Sequence, residues 1–192
     1  MVTAVTIAAA VAAMVGYGVM SLVMTATPIA MLDCGHEFAA AAFVIQWHSL
    51  GMFAPSFVTG HLITRFGLTR IMLTGAALLL LCSGVNLAGL ATINFWVANL
   101  ALGIGWNFLF VGATTLLTLT YAGAEKGKVQ ALNDFLVFGT VTLSSFASGA
   151  LLSGAGWNIV QLGVMPFVVV AAATVLWWRS RAPMVQPRLA EL

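Results

Sequence analysis

Polar positions along this chain interrupt long apolar stretches and do not alternate with single hydrophobic residues. Residues 1–32, 38–64, 71–124 and 135–178 contain no Asp, Glu, Lys or Arg. A helix needs about 20 apolar residues to cross the hydrocarbon of a bilayer. The first two runs therefore hold one crossing each, and the last two are long enough for a pair apiece. Their hairpins fall at the polar, glycine-bearing stretches Gly89–Asn94 and Ser153–Gly156. The pattern predicts six helices at about 4–29, 38–64, 71–89, 95–120, 129–152 and 158–178, with a kink at Pro55 in the second.

Composition agrees with the pattern. The 192 residues are 61% hydrophobic and 6% charged, whereas a soluble domain is about a quarter charged. Such a chain cannot cover a water-facing surface with charge, so the fold class is an all-α integral membrane bundle, a single domain over 1–192. A net charge of +2 and the lack of any Lys/Arg tract exclude a nucleic-acid partner. The apolar N-terminal run has no basic segment before it and exceeds a signal-peptide core, so it reads as a span. Cys34 lies in a loop and Cys82 deep in a span, so both are expected as free thiols.

Charge also orients the bundle. Arg65 and Arg70 fall between spans two and three, Lys126 and Lys128 between four and five, and Arg179, Arg181 and Arg188 after six. The opposite loops carry no basic residue but hold Asp33 and Glu37. The positive-inside rule then puts both termini in the cytoplasm and the protein in the cell (inner) membrane. Trp157, Trp177 and Trp178 fall at span ends, where indoles favour the lipid–water boundary.

An internal repeat is expected from self-similarity. At an offset of 87, Gly16-Tyr17-Gly18 falls on Gly103-Ile104-Gly105, and Leu22, Ala26 and Thr27 fall on Leu109, Ala113 and Thr114. At 88, Gly51 meets Gly139 and Ser56 meets Ser144. A three-helix unit re-enters from the opposite face, giving a 3+3 inverted repeat, an arrangement found in transporters.

The segment Gly60-His61-Leu62-Ile63-Thr64-Arg65-Phe66-Gly67-Leu68-Thr69-Arg70 resembles the signature loop of the major facilitator superfamily, G-x-L-x-D-R-x-G-R-[RK]. It matches at Gly60, Leu62, Arg65 and Gly67. Thr64 replaces the acid, and the basic pair is reduced to Arg70, one position late. Leu102-Gly103-Ile104-Gly105 is similar to the glycine pattern of that family's fourth helix, with Asn99 in place of its arginine, and Gly149 with Gly154-Ala155-Gly156-Trp157 is similar to the end of its helices five and eleven. The resemblance implies the C-terminal half of a twelve-helix transporter, helices seven to twelve. It also implies a gating role for Gly60, Arg65, Gly67 and Arg70, and a cavity lined by spans one and four. One half needs a second six-helix half or a homodimer partner, so the chain reads as a truncated or split transporter, or as a native half that dimerises.

Ionisable groups at membrane depth are costly and mark functional sites. His48 lies near mid-membrane beside Ser49, Met52, Ser56 and Thr59, where an imidazole can carry a coupling proton near neutral pH or stay neutral on a carbonyl. Asp134 is either a proton carrier or an anion that clamps Arg65 or Arg70. Span four carries Asn99, Gly103, Trp106, Asn107, Phe110 and Thr114 at helical spacing, a polar and aromatic stripe suited to a solute. Span one repeats it with Tyr17, Met20, Ser21, Met24 and Thr27. The solute candidates are thus Asn107, Trp106, Asn99, Thr114, Tyr17, Ser21 and Met24; Asn107 could instead join helices. Ser145, Gly149 and Ser153 form a small-residue strip expected to let two helices approach.

No Ser–His pairing with a glycine elbow and no His-rich helix is present, so an enzyme is not expected. Asp33, Cys34, His36 and Glu37 carry metal-ligating groups with no second cluster to complete a site, so neither metal nor cofactor is expected. The expected function is secondary active transport of a small solute by alternating access, coupled to protons. The alternative is a non-transporting membrane partner or scaffold subunit.

Overall fold

The computed structural model describes residues 2–121 and 125–181, with side chains from Ala4 onward. Arg188, expected on the basic side, lies outside them. The described residues form helices joined by short turns and contain no strand: α1 (Val2–Asp33), α2 (Phe38–Phe53), α3 (Ser56–Phe66), α4 (Leu68–Ala88), α5 (Thr92–Thr118), α6 (Lys126–Ala155) and α7 (Trp157–Arg181). Five of them, α1, α4, α5, α6 and α7, are long and apolar enough to cross a membrane. The continuous span expected over 38–64 is corrected to two helices: α2, with 16 residues, stops at Phe53, and α3 begins at Ser56. The cause is Pro55. It has no N–H to continue the ladder, and its ring displaces the preceding turn.

The break frees backbone groups that neither lipid nor the helix itself can satisfy. Asn107 of α5 fills the gap. Its Nδ2 donates to the Met52 carbonyl at 2.7 Å and to Ser56 Oγ at 2.6 Å. Its Oδ1 lies 2.7 Å from the Thr59 hydroxyl, whose one proton is shared between that oxygen and the Pro55 carbonyl at 2.8 Å. Both Asn107 and Thr59 are buried. One amide therefore splints the two halves of the broken helix onto α5.

Helix α5 packs against α4, α2 and α1, while α1 packs against α6, α5 and α7, and α4 against α7. The closest approaches occur at glycines. A Cβ on Gly103 would lie 2.5 Å from the His48 carbonyl oxygen and 2.9 Å from the Met52 nitrogen of α2. Two positions on, a Cβ on Gly105 would lie 2.9 Å from the Gly75 carbonyl of α4. The Gly-x-Gly pair thus seats one neighbouring helix on each side of α5. In α1, Gly18 has the same use against α6, where Thr140 and Ser144 close over it. The strip expected at Ser145, Gly149 and Ser153 is not a contact of this kind. A Cβ on Gly149 would meet nothing within 4 Å and Ser153 is exposed; only Ser145 reaches across, its hydroxyl 2.8 Å from that of Ser21.

The turns follow from local chemistry. Gly67 joins α3 to α4 at φ 90°, and Gly156 joins α6 to α7 at φ 82°, both in a region that side chains with a Cβ rarely adopt. At the opposite end, His36 straps two turns together. Its Nε2 donates to the Leu90 carbonyl at 2.7 Å, leaving Nδ1 to accept from Thr92 Oγ1 at 3.2 Å. Trp157 stands at the start of α7, and Trp177 and Trp178 near its end. Trp157 and Trp178 are buried, whereas Trp177 is partly open with Arg181 5.0 Å above its ring. Both cysteines are free, Cys34 exposed and Cys82 buried.

Two outcomes test this packing, both read as thermal unfolding midpoints of the detergent-purified chain. Asn107→Leu is expected to cost about 2 kcal/mol, because it leaves the groups at the break unpaired; an unchanged midpoint would contradict the splint. Gly103→Ala should destabilise by about 1–3 kcal/mol through overpacking. Gly139→Ala, where a Cβ would meet nothing within 4 Å, should be neutral or slightly stabilising; equal losses at both would contradict the glycine contact.

Candidate functional site

At the level where α1, α5 and α6 are half traversed, aromatic rings from four helices meet. Tyr17, Trp106 and Phe138 each lie within three residues of the middle of their helix. Trp106 and Phe110, one turn apart on α5, are stacked with centroids 5.3 Å apart and planes 10° apart. Tyr17 of α1 meets both edge-on, at 5.2 Å from Trp106 and 5.1 Å from Phe110. Phe138 of α6 lies 6.0 Å from Tyr17, and Phe53, the last residue before the Pro55 break, lies 6.4 Å from Trp106. Such offset and edge contacts are the favourable arrangements of aromatic quadrupoles, so the rings hold one another in place.

The cluster is closed on the bundle side and open on the other. Trp106 is only 7% exposed, and its Nε1–H has no acceptor. Tyr17 and Phe110 are half-buried, while Phe53 and Phe138 are 62% and 55% exposed. By burial the cluster is graded, from Trp106 at its base through Tyr17 and Phe110, termed its floor, to the exposed rings of Phe53 and Phe138, termed its walls. Among the described residues, the basic side chains stand near helix ends: Arg65 and Arg70 beside the α3–α4 turn, Lys126 and Lys128 at the start of α6, Arg179 and Arg181 at the end of α7. At about 1.5 Å per residue, Lys128 is roughly 15 Å along α6 from Phe138. The floor is thus aromatic and uncharged.

The expected solute residues divide into two groups. Tyr17 and Trp106 belong to the cluster, and Thr114 and Met24 are half-buried on the same two helices, with the Thr114 hydroxyl donating to Val111 O at 2.9 Å. Asn107, Asn99 and Ser21 are engaged with protein partners. Asn99 is fully buried; its Nδ2 donates to the Phe95 carbonyl at 2.9 Å and approaches Thr27 Oγ1 at 3.4 Å. Its own carbonyl accepts from His48 Nδ1 at 2.9 Å. His48 is fully buried as well, and that bond leaves its Nε2 lone pair without a partner. Asn99, Thr27 and His48 therefore tie α5, α1 and α2 together.

Asp134 is exposed on α6, one turn before Phe138 and on the same face. Its contact is a long approach from Asn133 Nδ2 at 3.5 Å, and among the described residues it forms no ion pair with Arg65 or Arg70. The clamp alternative is not formed: α6 packs chiefly against α1 and α7, whereas Arg65 and Arg70 stand on α3 and α4. Of the signature-loop residues, Gly67 makes the α3–α4 turn, Gly60 is exposed within α3, and Arg65 and Arg70 are exposed on either side of the turn, with Arg65 5.4 Å from the Phe66 ring.

Sequence reasoning missed Phe53 and Phe138 as members of the cluster. The available signals were positional: Phe53 sits at the foot of the only proline in its run, and Phe138 lies one turn from Asp134.

Comparison with known proteins agrees with this architecture. Residues 9–192 match the family described as the Major Facilitator Superfamily. The chain is similar to the riboflavin transporter RfnT of Brucella anthropi, 49% identical over 154 residues, which cover 80% of the chain and 39% of the relative. It is similar to the MFS-type transporter YdeG of Bacillus subtilis, 32% identical over 168 residues covering 85% of the chain and 38% of the relative. A more distant relative is the drug efflux pump JefA of Mycobacterium tuberculosis, 28% identical over 128 residues covering 64% of the chain and 25% of the relative. The chain therefore spans about two-fifths of the length of its first two relatives. These relatives are transporters and not enzymes. A match over nearly the whole chain, set on an all-helical apolar bundle, makes this polypeptide a member of the major facilitator superfamily of multi-pass membrane transporters.

Proposed function

We propose that the chain is one half of a proton-coupled secondary transporter of riboflavin or a closely related neutral flavin, working by alternating access with a second six-helix half or a second copy. The observation that carries this reading is the mid-depth aromatic cluster of Tyr17, Trp106, Phe110, Phe53 and Phe138, present in a chain 49% identical to a riboflavin transporter. Flat fused rings stack on such surfaces with little loss of side-chain freedom. Thr114 and Met24 extend the solute surface, while Asn99, Asn107 and Ser21 hold its supporting helices.

The same reading gives six crossings in a single domain, with α2 and α3 together forming one. Both termini face the cytoplasm of a cell (inner) membrane, so that Arg65, Arg70, Lys126, Lys128, Arg179 and Arg181 share one face. A 3+3 inverted repeat is supported by the packing, since α1 against α6 parallels α5 against α2, and α1 against α7 parallels α5 against α4. The glycine contacts equate Gly18 with Gly103, not with Gly105, so the equivalence is one of helix geometry more than of matched letters. For coupling, His48 offers a buried, unpartnered Nε2 and Asp134 an unpaired carboxylate beside the cluster. Gly67 lets α3 and α4 turn sharply between Arg65 and Arg70, a place suited to a gate.

The second reading, a non-transporting membrane partner, is favoured by the chain spanning only about two-fifths of its relatives. Riboflavin uptake into a riboflavin-auxotrophic bacterium expressing the chain decides between them. Transport predicts uptake above the vector control, lost on adding a protonophore. Phe138→Ala, an exposed position that should leave membrane levels unchanged, is expected to lower uptake about tenfold. Uptake at the control level contradicts transport, and protonophore-resistant uptake contradicts proton coupling.

A further inference from the structure

The walls of the aromatic cluster carry one more feature. Asp134 is exposed one helical turn from Phe138 on the same face of α6, about 6 Å along the axis toward Lys128. The next turn down, Gln130 is held by Tyr121, its Nε2 donating to the phenolic oxygen at 2.9 Å. Among the described residues no Lys or Arg forms an ion pair with Asp134, so its carboxylate can accept hydrogen bonds from a ligand. Beside the uncharged aromatic floor, one acceptor-only anion is thus the ionised group nearest a ring bound between Phe53 and Phe138.

Resting on the reading above, we propose that this site recognises a flavin in two parts and selects the unphosphorylated form. The fused ring lies against Tyr17 and Phe110 between the Phe53 and Phe138 walls, and the hydroxyls of the ribityl chain donate to Asp134. A terminal phosphate on that chain meets a carboxylate, and the next cation along α6, Lys128, is about 9 Å further down the axis beyond Gln130. Like charges at short range in a medium of low dielectric repel strongly, and a doubly charged phosphoryl group has nothing there to replace its hydration. The site therefore reads the ring by stacking, reads the polyol by hydrogen bonding, and rejects flavin mononucleotide. Trp106 acts behind the floor as a positioning residue, since its burial leaves Phe110 and Tyr17 to meet the ring.

Titration of the purified chain into riboflavin, lumiflavin and flavin mononucleotide, followed by quenching of flavin fluorescence, tests this. Lumiflavin has the ring without the ribityl chain. Riboflavin should bind, lumiflavin about tenfold more weakly, and flavin mononucleotide at least a hundredfold more weakly. Asp134→Ala should weaken riboflavin about tenfold, bring it level with lumiflavin, leave lumiflavin itself unchanged, and narrow the gap to flavin mononucleotide. Phe53→Ala should weaken riboflavin and lumiflavin alike. If riboflavin does not bind at all, the functional reading fails. If riboflavin binds but flavin mononucleotide binds equally well, or Asp134→Ala weakens lumiflavin as much as riboflavin, the functional reading stands and the two-part recognition is overturned.

Discussion

A bilayer contains no water to satisfy a broken helix, and this constraint organises the structure around α5. Pro55 breaks the apolar stretch into α2 and α3, and carbonyls left loose by such a break are costly wherever water is absent. Asn107 answers it with short hydrogen bonds to Met52, Ser56 and Thr59. For an amide to reach the break, α2 and α5 must lie close together, and Gly103 permits this by presenting no side chain to the His48 carbonyl and the Met52 nitrogen. Sequence neighbours on α5 thus have linked tasks. Gly103 sets the approach, Asn107 closes the break, and Trp106 between them meets Tyr17 and founds the aromatic cluster. Phe53 reaches that cluster because the break leaves it at the free end of α2, 6.4 Å from Trp106.

Outward-facing residues read differently once the chain is placed in a family of membrane transporters. Phe135, Leu143 and Phe146 on α6 are 76%, 72% and 80% exposed, a surface that would aggregate in water. In a bilayer, or against a second half, such a face carries no penalty. The polar side chains that remain are few and mostly paired inside the bundle: Asn86 Nδ2 reaches Gln161 Oε1 at 3.3 Å between α4 and α7, and Thr27 donates to the Val23 carbonyl at 2.7 Å within α1. Buried atoms without a partner remain even so, among them His48 Nε2 and, within the Asn86–Gln161 pair, Asn86 Oδ1 and Gln161 Nε2, while the exposed carboxylate of Asp134 makes no ion pair among the described residues.

Much of the fold was legible in the sequence because the bilayer imposes a rule on single segments. A charge-free run of sufficient length reads as a span, and the short turns at Gly67 and Gly156 announce themselves through glycine. The proline marked the stretch 38–64 as irregular, and the helix there is broken in two beside it. What the letters did not carry was partnership between distant segments. Asn107 is separated from Ser56 by 51 positions, so its amide looked as suited to a solute as to a splint. The small-residue strip on α6 had the spacing of a helix contact, but only Ser145 meets a neighbouring helix while Ser153 is exposed, since spacing defines a face and does not say what covers it. The site was half visible for the same reason. Tyr17, Trp106 and Phe110 share helical stripes that periodicity finds, whereas Phe53 and Phe138 join them only through folding.

The account turns on whether the solute meets the aromatic floor between α1 and α5. The direct measurement is solute protection of single thiols in a protein whose Cys34 and Cys82 are replaced by serine and alanine. Phe110→Cys and Phe146→Cys are labelled with a water-soluble maleimide in the presence and absence of riboflavin. The account predicts that riboflavin slows labelling at position 110 severalfold and leaves position 146, on the outer face of α6, unaffected. Equal labelling at position 110 with and without riboflavin, or equal protection of both positions, would contradict it.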